Sequence, residues 1–308
     1  VNPEQVERLV PVARAARLTI HRILVGSHLY GFATEDSDLD YRGVMLAPLQ
    51  ALVGLGSFEQ FQIQDEEHDV VIYELRKFCR LALGCNPNIL DLLYAKPEHW
   101  EVETAQWRKI YEIRHLFLSQ KVRKTFSGYA YSQLKKMERH RKWLLDPPDH
   151  QPLQPEYGGI WQGSNWRFPT RQGEKRYKAD LKTWNQYQHW LEHRNPKRAA
   201  MERESGYDRK HAAHLVRLLA VVERILDEGD YDPVLEPEEL SLVLEVKEGR
   251  CTYEKLIAWS EQQSQRIKHM YSALPEEPDF ATVQGVVMDV HLEYLRGQDR
   301  DCLDCVGR

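Results

Sequence analysis

Arg22-Ile-Leu-Val-Gly-Ser-His-Leu-Tyr-Gly-Phe-Ala-Thr-Glu-Asp-Ser-Asp-Leu-Asp-Tyr-Arg-Gly-Val44 is the stretch around which this chain is organised. An apolar run ends in Gly26-Ser27, and Asp38 and Asp40 follow with one residue between them. On a strand, the side-chain period of two sends both carboxylates to one face, where they can share a cation. Magnesium takes oxygen ligands and commonly enters a site with phosphate attached, so a third carboxylate and a substrate are expected to complete its shell. Asp69, heading the β-branched run Asp69-Val-Val-Ile-Tyr73, is the candidate. In isolation, Asp36 to Asp40 reads more simply as an acidic surface loop. The Gly-Ser turn before it favours the metal reading, because such turns offer N–H groups and a hydroxyl to phosphate.

The pattern G-S-x-x-Y-G over 26–31, S-D-x-D-x-R-G over 37–43, and a third Asp before a strand running into Tyr73-Glu-Leu-Arg-Lys-Phe78 resembles the nucleotidyltransferases of the DNA polymerase beta superfamily. Within it, the chain is similar to a subgroup typified by bacterial YcgL-like proteins and associated with RNA-repair genes. The superfamily resemblance covers roughly residues 1–95; that to the subgroup extends through Gly206 to Leu219. It implies that Gly26 and Ser27 hold a nucleoside triphosphate. It also implies that Asp38, Asp40 and Asp69 bind two Mg²⁺ ions, with Mn²⁺ as a substitute, and that Asp69 is the acid nearest the acceptor hydroxyl. Arg42 shares the strand parity of the aspartates, so it can pair with one of them or reach a phosphate. Tyr30 can stack on a base or simply pack.

The chain's 308 residues, 42% hydrophobic and 29% charged, are enough for one large core or two domains. A formal charge of −5 argues against a broadly basic surface but leaves room for a local patch. No apolar run approaches membrane-spanning length, and the N-terminus shows no signal-peptide core. The five cysteines, Cys79, Cys85, Cys251, Cys302 and Cys305, form no disulfide-like framework. A cytoplasmic protein without a membrane partner is therefore expected. Cys302 and Cys305 have C-x-x-C spacing without a second pair, which favours an incidental tail.

The expected fold class is α+β: a small mixed-sheet domain over residues 1–95, then a predominantly helical domain over 96–308 with an irregular insertion at 146–176. Helical spacing over 4–16 precedes strands at Thr19–Val25, Leu39–Leu46 and Asp69–Tyr73, with Phe58–Gln64 either another strand or an irregular approach to the metal site, and helices follow at 75–83 and 88–93. Residues 106–145 read as one or two helices with a break near Ser127-Gly128. This segment carries Lys121, Arg123, Lys124, Lys135, Lys136 and Arg139, either the solvated face of a helix or an RNA-backbone contact. In the insertion, Tyr157, Trp161, Trp166 and Phe168 favour an ordered loop, either touching substrate or fastened to the helices.

Asp208 is a candidate N-cap for a helix on which Lys210, His211, His214 and Arg217 follow one polar edge. Lys210, His214 and Arg217 are candidate triphosphate contacts. Ordinary surface packing is a second reading, and zinc at His211 and His214 a weaker third, since no further ligand is in view. These residues together point to a Mg²⁺-dependent nucleotidyltransferase that moves NMP from an NTP to an acceptor hydroxyl, with an RNA 3′ end as the expected acceptor, in RNA repair or tRNA processing. A small-molecule or protein acceptor, or a non-catalytic nucleotide-binding role, are the alternatives.

Overall fold

The apolar run after Leu18 forms β1 (Thr19–Leu24), and the segment carrying the paired aspartates becomes β2 (Leu39–Met45). The structure, a computed structural model, describes residues 17–35, 37–55, 58–64 and 68–306. The helix expected over 4–16, and Asp36, lie outside these residues. β3 (Gln60–Gln64), β4 (His68–Glu74) and β5 (Trp100–Glu103) complete a sheet of order β3-β4-β2-β1-β5. The sheet is mixed: β2 and β4 run parallel, and the other pairs are antiparallel.

Alternation along the strands assigns the faces. Met45, Phe61 and Ile72 join Leu18, Ala47, Ala51 and Phe58 in a buried core, with Tyr294 packed against it. The opposite side chains include His21, Ile23, Val44 and Val71, all buried. Gly43 is required by close strand packing, because a Cβ there would meet the His21 carbonyl oxygen at 2.5 Å. Two short helices, α1 (Ser27–Tyr30) and α2 (Leu49–Val53), flank β2 in the chain, and α3 (Leu75–Leu83) and α4 (Pro87–Tyr94) follow β4. Glu74 caps α3 by accepting from the Arg76 N–H at 3.0 Å, and Asn86 caps α4 by accepting from the Asn88 N–H at 3.1 Å.

Helices dominate the rest: α5 (Ala105–Glu112), α6 (Lys121–Leu145), α7 (Arg171–Glu192), α8 (Pro196–Ser205), α9 (Arg209–Glu228), α10 (Pro237–Lys247), α11 (Tyr253–His269) and α12 (Phe280–Val306). Between 175 and 295 the described residues form no strand. The α+β reading therefore holds, with a helical region after the sheet. The helical break falls at 113–120 and not at Ser127-Gly128, through which α6 runs unbroken. A Cβ at Gly128 would meet nothing within 4 Å, so this glycine answers no packing demand.

Residues 146–176 are ordered. β6 (Ile160–Gln162) and β7 (Asn165–Arg167) pair antiparallel around a two-residue Gly163-Ser164 loop, Gly163 taking a φ of 67°. Such a loop favours glycine because the left-handed region costs it nothing. Trp161 and Trp166 are register partners with ring centroids 5.4 Å apart.

The described residues form two compact units. One contains those up to Tyr131, Leu215–Leu244 and those from Ala258 onward; the other contains Ser132–His214 and Glu245–Ile257. This differs from the expected division into 1–95 and 96–308. The first unit takes in C-terminal helices as well as the sheet: His291 of α12 lies 3.1 Å from the buried Glu74 carboxylate, and Tyr294 packs on the core. Among the described residues no helix is long and apolar enough to cross a membrane. Cys79, Cys85 and Cys251 are buried free thiols.

Candidate active site

The site begins where β1 ends. Gly26 sits at φ 71°, ψ −143° and opens α1, a backbone conformation that strains any L side chain. An ideal Cβ at Gly26 would lie 3.6 Å from Asp40 Oδ2, so the turn passes directly beside the strand carboxylate. The Val25 N–H donates to the Asp40 carbonyl at 2.8 Å and fixes the approach. Ser27 is the first residue of α1, whose last turn closes through the Phe32 N–H onto the Ser27 carbonyl.

Asp40 and Asp69 are register partners in the parallel β2–β4 pair. Neighbouring strands lie about 4.8 Å apart and register partners project to the same face, so these two carboxylates are brought together by the sheet itself. Asp38 is exposed, one residue before β2, and Asp40 is half-buried. Arg42, two residues beyond Asp40, donates through Nη2 to Asp69 Oδ2 at 2.8 Å and through Nη1 to the Asp69 carbonyl at 2.8 Å. Asp69 Oδ1 is buried and makes no hydrogen bond. Nearby, burial raises the Tyr73 phenol, with Arg42 opposing.

This donor set fits the divalent metal implied by the resemblance. It offers the register-partnered carboxylates of Asp40 and Asp69, the latter with a buried oxygen that makes no hydrogen bond, beside the Gly26 turn. Arg42 pairs with Asp69 through Oδ2 and so leaves Oδ1 open to a cation.

The other expected residues fall as follows. Arg217 is not on a polar edge: it is 1% exposed and pairs with Asp91 Oδ1 at 3.2 Å. Its guanidinium lies 4.1 Å from the centroid of the Tyr30 ring, whose hydroxyl donates to Asp91 Oδ2 at 2.7 Å, and Tyr231 donates to the same carboxylate. The i, i+7 spacing from Lys210 carries Arg217 past the exposed part of α9 into its apolar part, where Leu215, Val216, Leu218 and Leu219 are all buried. Tyr30 is accordingly a packing residue whose phenol burial pushes up. Lys210 is exposed and His214 half-buried, both in the second unit.

The basic residues also sort themselves. Arg123 donates to the carbonyls of Ile267 and Met270, tying down the end of α11, so it is committed to the fold. Lys121 pairs with Glu277, and Lys124 is exposed. In the second unit Lys135 pairs with Glu138 at 2.7 Å, Lys136 is exposed, and Arg139 lies over Trp143 and donates to Gln186.

Sequence reading overlooked Asp91, whose place in an apolar run gives no hint that Arg217 and two tyrosines meet on it. It also overlooked His140. Asp208 does cap α9, accepting from the Lys210 and His211 N–H groups at 3.0 and 3.1 Å. His211, however, meets His140 and Asp208, a grouping that the His211/His214 spacing does not indicate.

Residues 1–145 match the model of a family described as RlaP, RNA repair pathway DNA polymerase beta family. Over that stretch the chain is similar to the nucleotidyltransferases of the DNA polymerase beta superfamily. Across 130 residues it is 26% identical to the uncharacterized 38.9 kDa protein in the nrdC-mobD intergenic region of Enterobacteria phage T4. That match spans 38% of this chain and 38% of the phage protein. A solved nucleotidyltransferase-like protein from Exiguobacterium sibiricum 255-15 aligns over 97% of this chain and 80% of its own at 12% identity, with a TM-score of 0.26.

Proposed function

We propose that the protein is a Mg²⁺-dependent nucleotidyltransferase that moves NMP from an NTP to an RNA 3′ hydroxyl in RNA repair or tRNA processing. The observation that carries this reading is the side-by-side placement of Asp40 and Asp69 on parallel strands, with the Gly26 turn against Asp40. The RNA-repair description of the matching family supports the choice of acceptor.

Asp38, Asp40 and Asp69 would hold two Mg²⁺ ions. When bound, these neutralise triphosphate charge and lower the acceptor hydroxyl's pKa. The protein's own contribution is positional. The glycine at 26 leaves room for phosphate beside Asp40, and the Ser27 hydroxyl and turn amides are available to phosphate oxygens. Asp69 Oδ1, with no hydrogen bond of its own, is the oxygen free to orient the acceptor end, while Arg42 fixes the rotamer of the same carboxylate. This keeps Asp69 aimed before substrate arrives.

The experiment is incorporation from each of the four α-labelled NTPs, with Mg²⁺, into RNA, small metabolites and the protein itself, resolved by size. The expected product is RNA extended at its 3′ end. Label appearing only in metabolites or on protein would transfer the reading to those acceptors, and label in none of the three would leave a nucleotide-binding protein.

A further inference from the structure

The second unit contains a cluster that nucleotidyl transfer does not use. His140 on α6, His211 on α9 and Asp208 at the α9 cap present ligand atoms all within 4.8 Å of one another. His140 Nδ1 lies 3.4 Å from Asp208 Oδ2, and His211 Nε2 lies 3.7 Å from the same oxygen. Glu202 of α8 is 2% exposed and brings Oε1 to 3.7 Å from His140 Nδ1. Donors around a zinc ion at bond lengths of ~2.0–2.2 Å stand roughly 3.3–3.6 Å apart, so the 3.4 and 3.7 Å contacts of Asp208 Oδ2 with the two imidazoles come close to those of a zinc shell, and Glu202 approaches from the His140 side.

The neighbours orient these donors toward a common point. Asp208 caps the helix through Oδ1, and its Oδ2 lies toward the two imidazoles. His211 Nδ1 lies 2.8 Å from Gln133 Oε1; donation to that amide oxygen puts the proton on Nδ1 and the lone pair on Nε2, the atom facing Asp208. Arg194 holds Glu202 Oε2 and stacks over Trp190 at 3.9 Å, leaving Oε1 for the cluster. His140 Nδ1 and Glu202 Oε1 are both buried, and neither makes a hydrogen bond. Buried polar atoms of this kind call for a partner, and two carboxylates turned to two imidazoles in one buried place make it a cation.

We propose that His140, His211 and Asp208, with Glu202 beside His140, bind one zinc-class divalent transition-metal ion that fastens α6, α8 and α9 within the second unit. Imidazole nitrogen selects the transition metals over magnesium, which separates this ion from those assigned to the aspartates of the sheet. The site lines one wall of a cavity of about 340 Å³ shared with Trp143 and Trp190, through which the ion can enter.

The test uses untagged full-length protein, equilibrated with ZnCl₂, freed of loose metal by gel filtration, and read by elemental mass spectrometry. Wild type and Asp40→Asn are expected to retain one zinc per chain, and His140→Gln and His211→Gln to retain none. Gln133→Leu touches no proposed ligand atom; it should keep the helical circular dichroism of the wild type and weaken zinc about 10- to 100-fold in competition with a chromophoric chelator. Cobalt in place of zinc should give the intense visible absorption of a tetrahedral site in wild type, a readout that does not depend on a variant folding. Wild type without retained zinc, histidine variants that keep it, or loss of zinc in Asp40→Asn would each overturn the proposal.

Discussion

Asp40 and Asp69 stand opposite each other on the parallel pair β2 and β4, although 29 positions separate them in the numbering. Arg42 lies on the same face and grips Asp69 at 2.8 Å. A strand period of two and one parallel pairing are sufficient to assemble this group, with no long side-chain reach required.

Arg42 is expected to matter for turnover more than for stability. The pair is partly exposed, 22% and 27% for the two side chains, so its loss should cost about 1 kcal/mol or less. Arg42→Ala should nevertheless slow transfer about 100-fold, the usual scale for one preorganised charged group. It should also lower the Mg²⁺ concentration at half-maximal rate, because Asp69 no longer shares its charge with a guanidinium. Arg42→Lys, which keeps the charge and loses the fork, should fall between. A magnesium titration of the initial rate reads both effects.

The opposite is expected for Arg217. Removing one partner of a buried pair strands the other, at about 3–5 kcal/mol. Arg217→Met should therefore cut unfolding stability by that amount in urea titration, whereas replacing Arg217 and Asp91 together should cost less. NTP affinity of the folded variant should be unchanged. A variant of normal stability that binds NTP weakly would return Arg217 to the phosphate.

His21 predicts a pH dependence. Its ring stacks on Trp107 at 3.8 Å, and burial lowers its pKa from 6.5 to about 3 against the opposing pull of the Val102 carbonyl. The unfolded chain thus takes up a proton at His21 near pH 6.5 that the folded protein refuses until about pH 3. Stability from this residue is complete above pH 6.5 and falls as pH drops through the window, by up to about 1.4 kcal/mol per pH unit. Denaturation midpoints for wild type and His21→Phe between pH 7 and pH 4 should converge as the pH falls.

Of the basic residues weighed as an RNA-backbone contact, Arg123 is committed to α11 and Lys121 pairs with Glu277, and Lys135, Lys136 and Arg139 form the group to test in the second unit. Replacing all three with Ala should weaken RNA binding and flatten its salt dependence by about 0.7 to 0.9 log units for each phosphate that is no longer neutralised. An unchanged slope in filter binding across a salt series would remove the patch from the account.

What the sequence disclosed, and what it concealed, follows from the range of each interaction. The apolar run around Asp40 and the β-branched run after Asp69 mark β2 and β4, so local periodicity could place these two, whereas Asp38, expected to share the strand parity of Asp40, falls one residue before β2. The Gly163-Ser164 hairpin is locally encoded too, but its strands are only three residues each, too short for alternation to reveal. Arg217 shows the limit of spacing arguments: helical periodicity alone sets it on the edge with Lys210 and His214, but the burial of that turn depends on Asp91, 126 positions away. The His140–His211 meeting is equally non-local, and no i, i+3 or i, i+4 rule reaches it.

The most direct measurement of the central claim is label transfer from α-labelled NTP, in Mg²⁺, by wild type and by Asp40→Asn side by side. Asn is isosteric and leaves the β2–β4 pairing intact, so circular dichroism and the melting temperature should match the wild type. The account predicts labelled product with wild type and Mg²⁺, none after chelation, and none with Asp40→Asn at any Mg²⁺ concentration. Transfer by Asp40→Asn at the wild-type rate, or wild-type transfer that survives removal of divalent metal, would contradict it.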